Sequence, residues 1–439
     1  MTFEEARRRL LEQAAELEID LEVLATSSRE LRVDARDGQT SDIGMSSSGG
    51  LGLRVIRNGR TGYAWTEELT DEALEWTLSE AVANAELQEP EQTASLPVGI
   101  ALGRHDLLDE GLSAPLQDKK DAAISLERAL MTDARVQALQ VARYSENQSE
   151  TEISSTRGVS GSYRAGHALL LTSLVMREGD SVKQGYSLDA STGFHALEPG
   201  RTAQQALTEV SRHLGARPLK TGRRRAIFEP DVTAALLGLL LQSLSGKNLA
   251  EGKSLLADRL GERIASEAVT LVDDPFFAGG LANRPFDAEG TPAEKLVIIE
   301  NGVFRSFLHN SDTASRTGQR NTGHASRSYR STLSVGPSNL ILESGSGVTR
   351  ADGTIIITDV MGVHAGANPI TGDVSIQAMG LEAEGGELTP VDNFAIAFNL
   401  FRLLEQIEEV GDDPEWRPGF AGIVRAPSIS VADLSFAGS

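Results

Sequence analysis

"GARPLKTGRRR", residues 215–225, decides how the chain divides. It sets a glycine, a proline and a run of cations between two periodic segments, the pattern of a domain boundary. Before it, helix-like and strand-like stretches are mixed. After it come a short strand, an apolar helix and a long segment rich in strands and glycine turns. The division predicts an α+β fold in two parts. The first, 1–215, is an N-terminal α/β-type domain with a mixed sheet and packed helices. The second, 216–439, is a C-terminal β-rich, barrel-like domain with two or three helices. With 439 residues, each part can bury its own core.

Outward from the boundary, the N-terminal part opens on a capped helix. Thr2 and Glu5 fit a capping box, and Phe3, Ala6, Leu10, Ala14 and Leu17 form one apolar stripe. Strand-like segments follow, and the Asn-Gly pair in "RNGR" predicts a hairpin turn. Leu74, Leu78, Ala81, Val82 and Ala85 mark a second helix, followed by a proline-containing connection over roughly 89–117. Residues 118–132 and 199–214 read as helices, with strands between. The stretch from "VQALQVARYSENQ" repeats the strand, polar turn and strand rhythm of "VDARDGQTSDIG". In the C-terminal part, "NFAIAFNLFRLLEQIEEV" reads as a late helix.

Composition narrows the function. The chain carries 41 Lys and Arg against 63 Asp and Glu, a formal net charge of −22. A phosphate backbone is repelled overall, so no nucleic-acid partner is expected. The one dense basic cluster, Leu219–Phe228, reads as a solvated linker. There is no cysteine, which removes disulfides, thiolate chemistry and Cys-ligated zinc or iron–sulfur sites. The N-terminus lacks an apolar signal core, and "VTAALLGLLLQSL" is too short to span a bilayer. A cytoplasmic chain with no membrane partner is the expectation.

No motif announces catalysis. None of the seven histidines begins an HExxH pattern, and the closest two, His309 and His324, are 15 positions apart. "GKNLAEGKS", residues 246–254, has one residue too many between its glycines for a phosphate loop, and reads as a helix end and surface loop. No G-x-S-x-G elbow and no dinucleotide fingerprint occur.

Three stretches together resemble the TldD/PmbA family. They are "GGLGLRVIRNGRTGYAWTEEL", "ANRPFDAEGTPAEKLVIIENGVFRSFLHNSDTASRTGQRNTGHASR" and "VMGVHAGANPITGDVS". The likeness spans nearly the whole chain and is most specific from Phe286 to Ser375. It implies a two-subunit zinc protease. One subunit, TldD-type, carries an HExxxH helix and a Cys ligand. The other, PmbA- or TldE-type, has the same fold without the metal site. Here the position of that helix holds "LLGLLLQSL", Leu236–Leu244, without His or Glu, and the Cys position falls near Ala421. The resemblance therefore implies the TldE-like branch: a non-catalytic subunit of the metalloprotease complex, with no cofactor of its own and zinc only in a TldD-like catalytic partner. It also implies a homodimer when alone and an unfolded peptide as substrate. A homodimeric peptide-binding or scaffold protein without such a partner is the alternative, and an independent hydrolase with an unrecognised site the third reading.

The glycine-rich stretch 361–375 is implied to lie by the inter-subunit cavity. Gly362, Gly366 and Gly372 allow tight turns, and Thr371 and Asp373 can hydrogen-bond their own loop. His364 is expected to position rather than react. Asn368, Thr371, Asp373 and His324 complete the expected cavity-lining or loop-positioning set. No catalytic and no metal residue is assigned.

Overall fold

The computed structural model describes residues 1–90, 95–419 and 422–438. Its N-terminal half is organised on a seven-stranded sheet. Asp20–Arg36 and Gln39–Arg57 form one long hairpin, and Val136–Ser155 and Ser160–Glu178 form another. The two hairpins join edge to edge, antiparallel, through Asp20–Arg36 and Val136–Ser155. Arg60–Thr66 extends the first hairpin and Ser181–Ser191 the second. The rhythm repeated in the sequence is thus two three-stranded units side by side. Asn58 and Gly59 both adopt positive φ, 53° and 72°, as a two-residue type I′ turn requires. Ala101–Asp106, inside the segment read as a plain connection, adds a parallel strand and makes the sheet mixed.

One face of this sheet is covered by helices. Alternate residues of the first strand point the same way. Leu21, Val23 and Ala25 pack in one core with the helices Phe3–Glu16 and Asp71–Glu86. Leu31, Val33 and Ala35 pack in a second core with Leu116–Leu130 and Pro199–Ser211. The other face receives the C-terminal half. Leu24 and Ile153 bury Phe286, and Phe286 meets Tyr163 edge-on, with ring centroids 5.1 Å apart. Gly50 and Gly52 lie beneath Tyr329. A Cβ on Gly50 would fall 2.4 Å from its ring, and one on Gly52 2.5 Å from its carbonyl oxygen. Gly50 and Gly52 of "SGGLGL" allow close approach between the halves.

The C-terminal half contains a closed five-stranded barrel: Gly222–Phe228, Ile355–Met361, Asp373–Glu384, Glu387–Asn399 and Ile429–Ala437. It closes because Ile429–Ala437 pairs with both Gly222–Phe228 and Glu387–Asn399. Closure removes free sheet edges. Beside it lies a six-stranded sheet that ends on the hairpin Glu415–Gly419 and Gly422–Ala426. The helix Pro230–Leu244 packs in one core with barrel and sheet. No described helix is long and apolar enough to cross a membrane.

Three sequence readings change. The late helix predicted over 393–410 is a barrel strand through Asn399, a short helix Leu400–Glu405 and another strand, Ile407–Val410. "NFAIAFN" has period two, with Phe394 and Ile396 buried, and Asn399 caps the helix by accepting from the Phe401 N–H at 3.2 Å. The predicted solvated linker is a barrel strand. Its Arg223 pairs with Asp433 at 2.7 Å, Arg224 with Glu382 at 2.5 Å and Arg225 with Glu409 at 2.6 Å. The described C-terminal half also holds five helices, four of them seven residues or shorter.

Candidate functional site

The glycine-rich stretch forms a loop on the barrel that ties itself together. Asn368 Oδ1 accepts from the Ile370 and Thr371 N–H groups at 2.9 and 3.2 Å. Thr371 Oγ1 donates to Asp373 Oδ2 at 2.9 Å. Asn399 Nδ2 donates to Asp373 Oδ1 at 3.0 Å and to the Thr371 carbonyl at 2.9 Å. Hydrogen bonds from Asn399 and Thr371 hold the Asp373 carboxyl below its usual range. Gly372 has φ 76°, and a Cβ there would meet the Phe401 ring at 2.6 Å, so this turn demands glycine. His364 sits on the same loop, exposed, in the short helix Val363–Gly366. Asn368, Thr371 and Asp373 are therefore brought together by one another.

His324 is held elsewhere. It is buried, with Nδ1 2.9 Å from Thr322 Oγ1 and Nε2 3.0 Å from Asp273 Oδ2. Asp273 also accepts from Ser338, from its N–H at 2.8 Å and its hydroxyl at 2.6 Å. Burial works against the Asp273 charge, but His324, Arg284 and Ser338 outweigh it and lower the carboxyl's pKa. The group is fully satisfied internally, a pattern that fixes loops.

The helix Pro230–Leu244 bears on the metal question. Leu236, Leu237, Leu239, Leu240, Leu241 and Leu244 are all buried. At its end Ser243 Oγ donates to the Pro369 carbonyl at 3.2 Å, so the helix supports the glycine-rich loop. Zinc needs imidazole, thiolate or carboxylate donors, and Leu236–Leu244 offers none. Among the described residues no three His, Asp or Glu gather as a metal-binding group. The residues present do not fit the zinc of a catalytic subunit. The expected Cys position, Ala421, lies outside the described residues.

An open cleft of about 790 Å³ lies between the halves. Its N-terminal wall is the strand Ser181–Ser191 and the helix Pro199–Ser211. Its C-terminal wall is Phe277 and the hairpin with Trp416, Arg417 and Arg425. It continues inward past Glu209 and Arg417 to Tyr186, His213, Asp231 and Asp359. Ion pairs staple the two walls. Arg212 forks onto Glu229 at 2.8 and 2.5 Å, and Lys183 meets Asp392 at 2.6 Å. Within the C-terminal wall, Arg417 meets Asp231 at 3.0 Å. Desolvation raises the Glu209 and Asp231 carboxyls against the pull of Arg212 and Arg417. Burial, then the nearby Arg212 and Lys183, push the His213 imidazole down to about 4. Perturbed groups gathered in a concave site mark a binding site. Carboxylates and guanidinium groups facing each other across it can take the N–H and C=O groups of an extended chain. None of these residues stood out in the sequence, because they come from several segments scattered between Lys183 and Arg425 and share no local pattern.

Comparison with known proteins adds the lineage. Residues 221–438 match the domain described as "PmbA/TldA metallopeptidase C-terminal domain", 21–85 match domain 1 and 109–214 the central domain. The chain is 26% identical to "Metalloprotease PmbA" of Escherichia coli O157:H7 over 98% of its own length and 97% of that protein's. It is 27% identical to the PmbA homolog of Haemophilus influenzae, over 99% and 97%. The crystal structure of TldE from Thermococcus kodakarensis superposes with a TM-score of 0.85 at 25% identity, covering 99% of this chain and 100% of that one. With all three domains present in order along one chain, and PmbA and TldE relatives matching from end to end, this protein belongs to the PmbA/TldD family.

Proposed function

We propose that the chain is the TldE-like subunit of a TldD/TldE-type metalloprotease complex that degrades or processes unfolded peptides in the cytoplasm, and that it carries no zinc site of its own. The observation that carries this reading is the helix Pro230–Leu244, whose interior is leucine-rich and whose donors do not suit a metal. Full-length similarity to proteins named metalloprotease PmbA and to TldE supports the metalloprotease part of this reading. A partner bearing HExxxH would supply the Lewis acid and activated water that peptide hydrolysis needs. This chain would supply wall and selectivity: an opening that admits extended backbone and holds it by main-chain hydrogen bonds.

The test mixes purified chain with a TldD-type protein carrying HExxxH. The expectation is a homodimer alone, a heterodimer on mixing by light scattering, and cleavage of an unstructured peptide only in the mixture. Metal analysis of the chain purified without chelator should find no stoichiometric zinc. Peptidase activity from the chain alone, or a mixture that neither associates nor gains activity, would overturn the reading.

A further inference from the structure

The cleft holds three arginines, and two are already engaged. Arg201 pairs with Asp189 at 2.9 Å. Arg417 bridges Asp231 at 3.0 Å and also meets Glu415. Arg425 differs. Among the described residues its guanidinium makes no ion pair, and no hydrogen bond from its side chain is found. It lies over the face of Phe277, with the guanidinium carbon 5.2 Å from the ring centroid. Phe277 in turn meets Trp416 edge-on, at 5.9 Å and 80°. Trp416 and Arg425 are directly opposed across the hairpin, so they share one face. All three line the cleft.

A cation over a ring is steadied, yet its N–H donors stay unspent. Arg425 is half-buried, and a partly desolvated donor set without acceptors is costly. Its pKa is pulled down by burial, with no opposing carboxylate. Such a fork, planar and already oriented, suits a bidentate carboxylate.

We infer that the corner formed by Arg425, Phe277 and Trp416 binds the C-terminal carboxylate of an extended peptide, with the last side chain packed on the two aromatic rings. Two features of the cleft select this ligand over other anions. Asp189 and Glu415 are matched by Arg201 and Arg417 and Glu209 by Arg212, so Arg425 is one unmatched cation, which balances a single carboxylate and leaves a phosphate dianion half uncompensated. The same carboxylates can accept from the amide N–H groups that precede a peptide's terminus, which a free small acid lacks. The choice of a peptide rests on the proposed function; the anionic corner stands on its own geometry.

The test uses the full chain without any partner. Calorimetry measures binding of N-acetylated Ala-Ala-Ala-Ala-Phe as free acid and as amide, with phenylacetate and inorganic phosphate as further probes. The acid should bind about tenfold or more tightly than the amide, from loss of charged hydrogen bonds. Arg425→Gln should bring acid and amide level, Arg425→Lys should keep part of the difference, and circular dichroism should show both folded. Equal binding of acid and amide to the unaltered chain would overturn the proposal, and that comparison needs no variant. So would a difference that survives in Arg425→Gln, or phenylacetate or phosphate binding as tightly as the peptide acid. Failure here, alongside partner-dependent peptidase activity, sinks the carboxylate site and leaves the subunit reading standing. The converse result separates them the other way.

Discussion

The two ends of the N-terminal sheet meet the C-terminal half in opposite ways. At the end formed by the first hairpin, charge is sealed in. Arg54, Glu22, Glu289 and Arg327 are nearly inaccessible. Arg54 Nη1 pairs with Glu289 and lies 3.8 Å from Glu22, and Arg327 meets Glu22 at 2.6 Å. Arg54 also donates to the Ser95 carbonyl at 3.2 Å, and Glu289 accepts from the Ser311 N–H at 2.8 Å. Asp287 beside them accepts the N–H groups of Glu289, Thr291 and Ala325, each at 2.9 Å. Burial and the neighbouring Glu289 raise its carboxyl all the same. At the other end, by Ser181–Ser191, the same residue types line an open cleft and one arginine is left over. The sealed cluster is balanced in charge and closed to solvent, so it holds the halves in register. The open one has a cation without a carboxylate and room beside it, so it can bind. Residue type does not separate structural from functional charge here; completeness of pairing does.

The contrast is most sharply tested at the sealed end. Arg54→Met should destabilise the chain by about 3–5 kcal/mol, because it strands buried carboxylates. Urea unfolding checks this, and a loss near zero would mean that the cluster is not holding the halves. A smaller effect belongs to the cleft and to acid. His213 has a folded-state pKa near 4 against 6.5 in the open chain. A depressed pKa means that the unfolded chain takes the proton first. The stability it confers is therefore whole above pH 6.5 and is lost as pH falls towards about 4. His213→Asn should flatten the stability–pH curve in that window, and an unchanged slope would remove His213 from the account.

Next comes the seam between the ends. Gly52→Ala should cost about 1–3 kcal/mol by overpacking against Tyr329, read as a lower thermal midpoint; no change would mean that the halves part easily. The smallest effects fall on the exposed loop. His364→Ala should fold normally and leave the activity of a reconstituted complex within a few fold, whereas removing an acid–base group would cost about a hundredfold or more. A kinetic comparison of the two complexes decides it.

Much of the architecture was legible because its signals are local. The capping box at Thr2 and Glu5, the Asn58-Gly59 turn and the leucine-rich helix after Pro230 each depend on neighbours within a turn or two of chain. The boundary near Gly215 marks where the N-terminal helices end and the first barrel strands begin. The late helix failed because "NFAIAFN" and "LFRLLE" run together without a breaker, so period two and period 3.6 blur. The linker failed because Arg223, Arg224 and Arg225 find their carboxylates roughly 160–210 positions away.

The candidate site divides along the same line. Asn368, Thr371 and Asp373 could be read as a self-tied loop, since an Asx or Thr side chain bonds backbone a few residues on. His324 could not, because its partner Asp273 is 51 positions away. Sequence by itself determined the strongly patterned elements, the family and the absence of zinc donors along Leu236–Leu244, all of which rest on residue identity and short spacing. Only the tertiary structure decided which charges are spent and which remain. Glu22 with Arg327, and Arg425 without a carboxylate, follow from how two halves of one chain close on each other, and ion pairing depends on distance in space, which the order of residues does not encode locally.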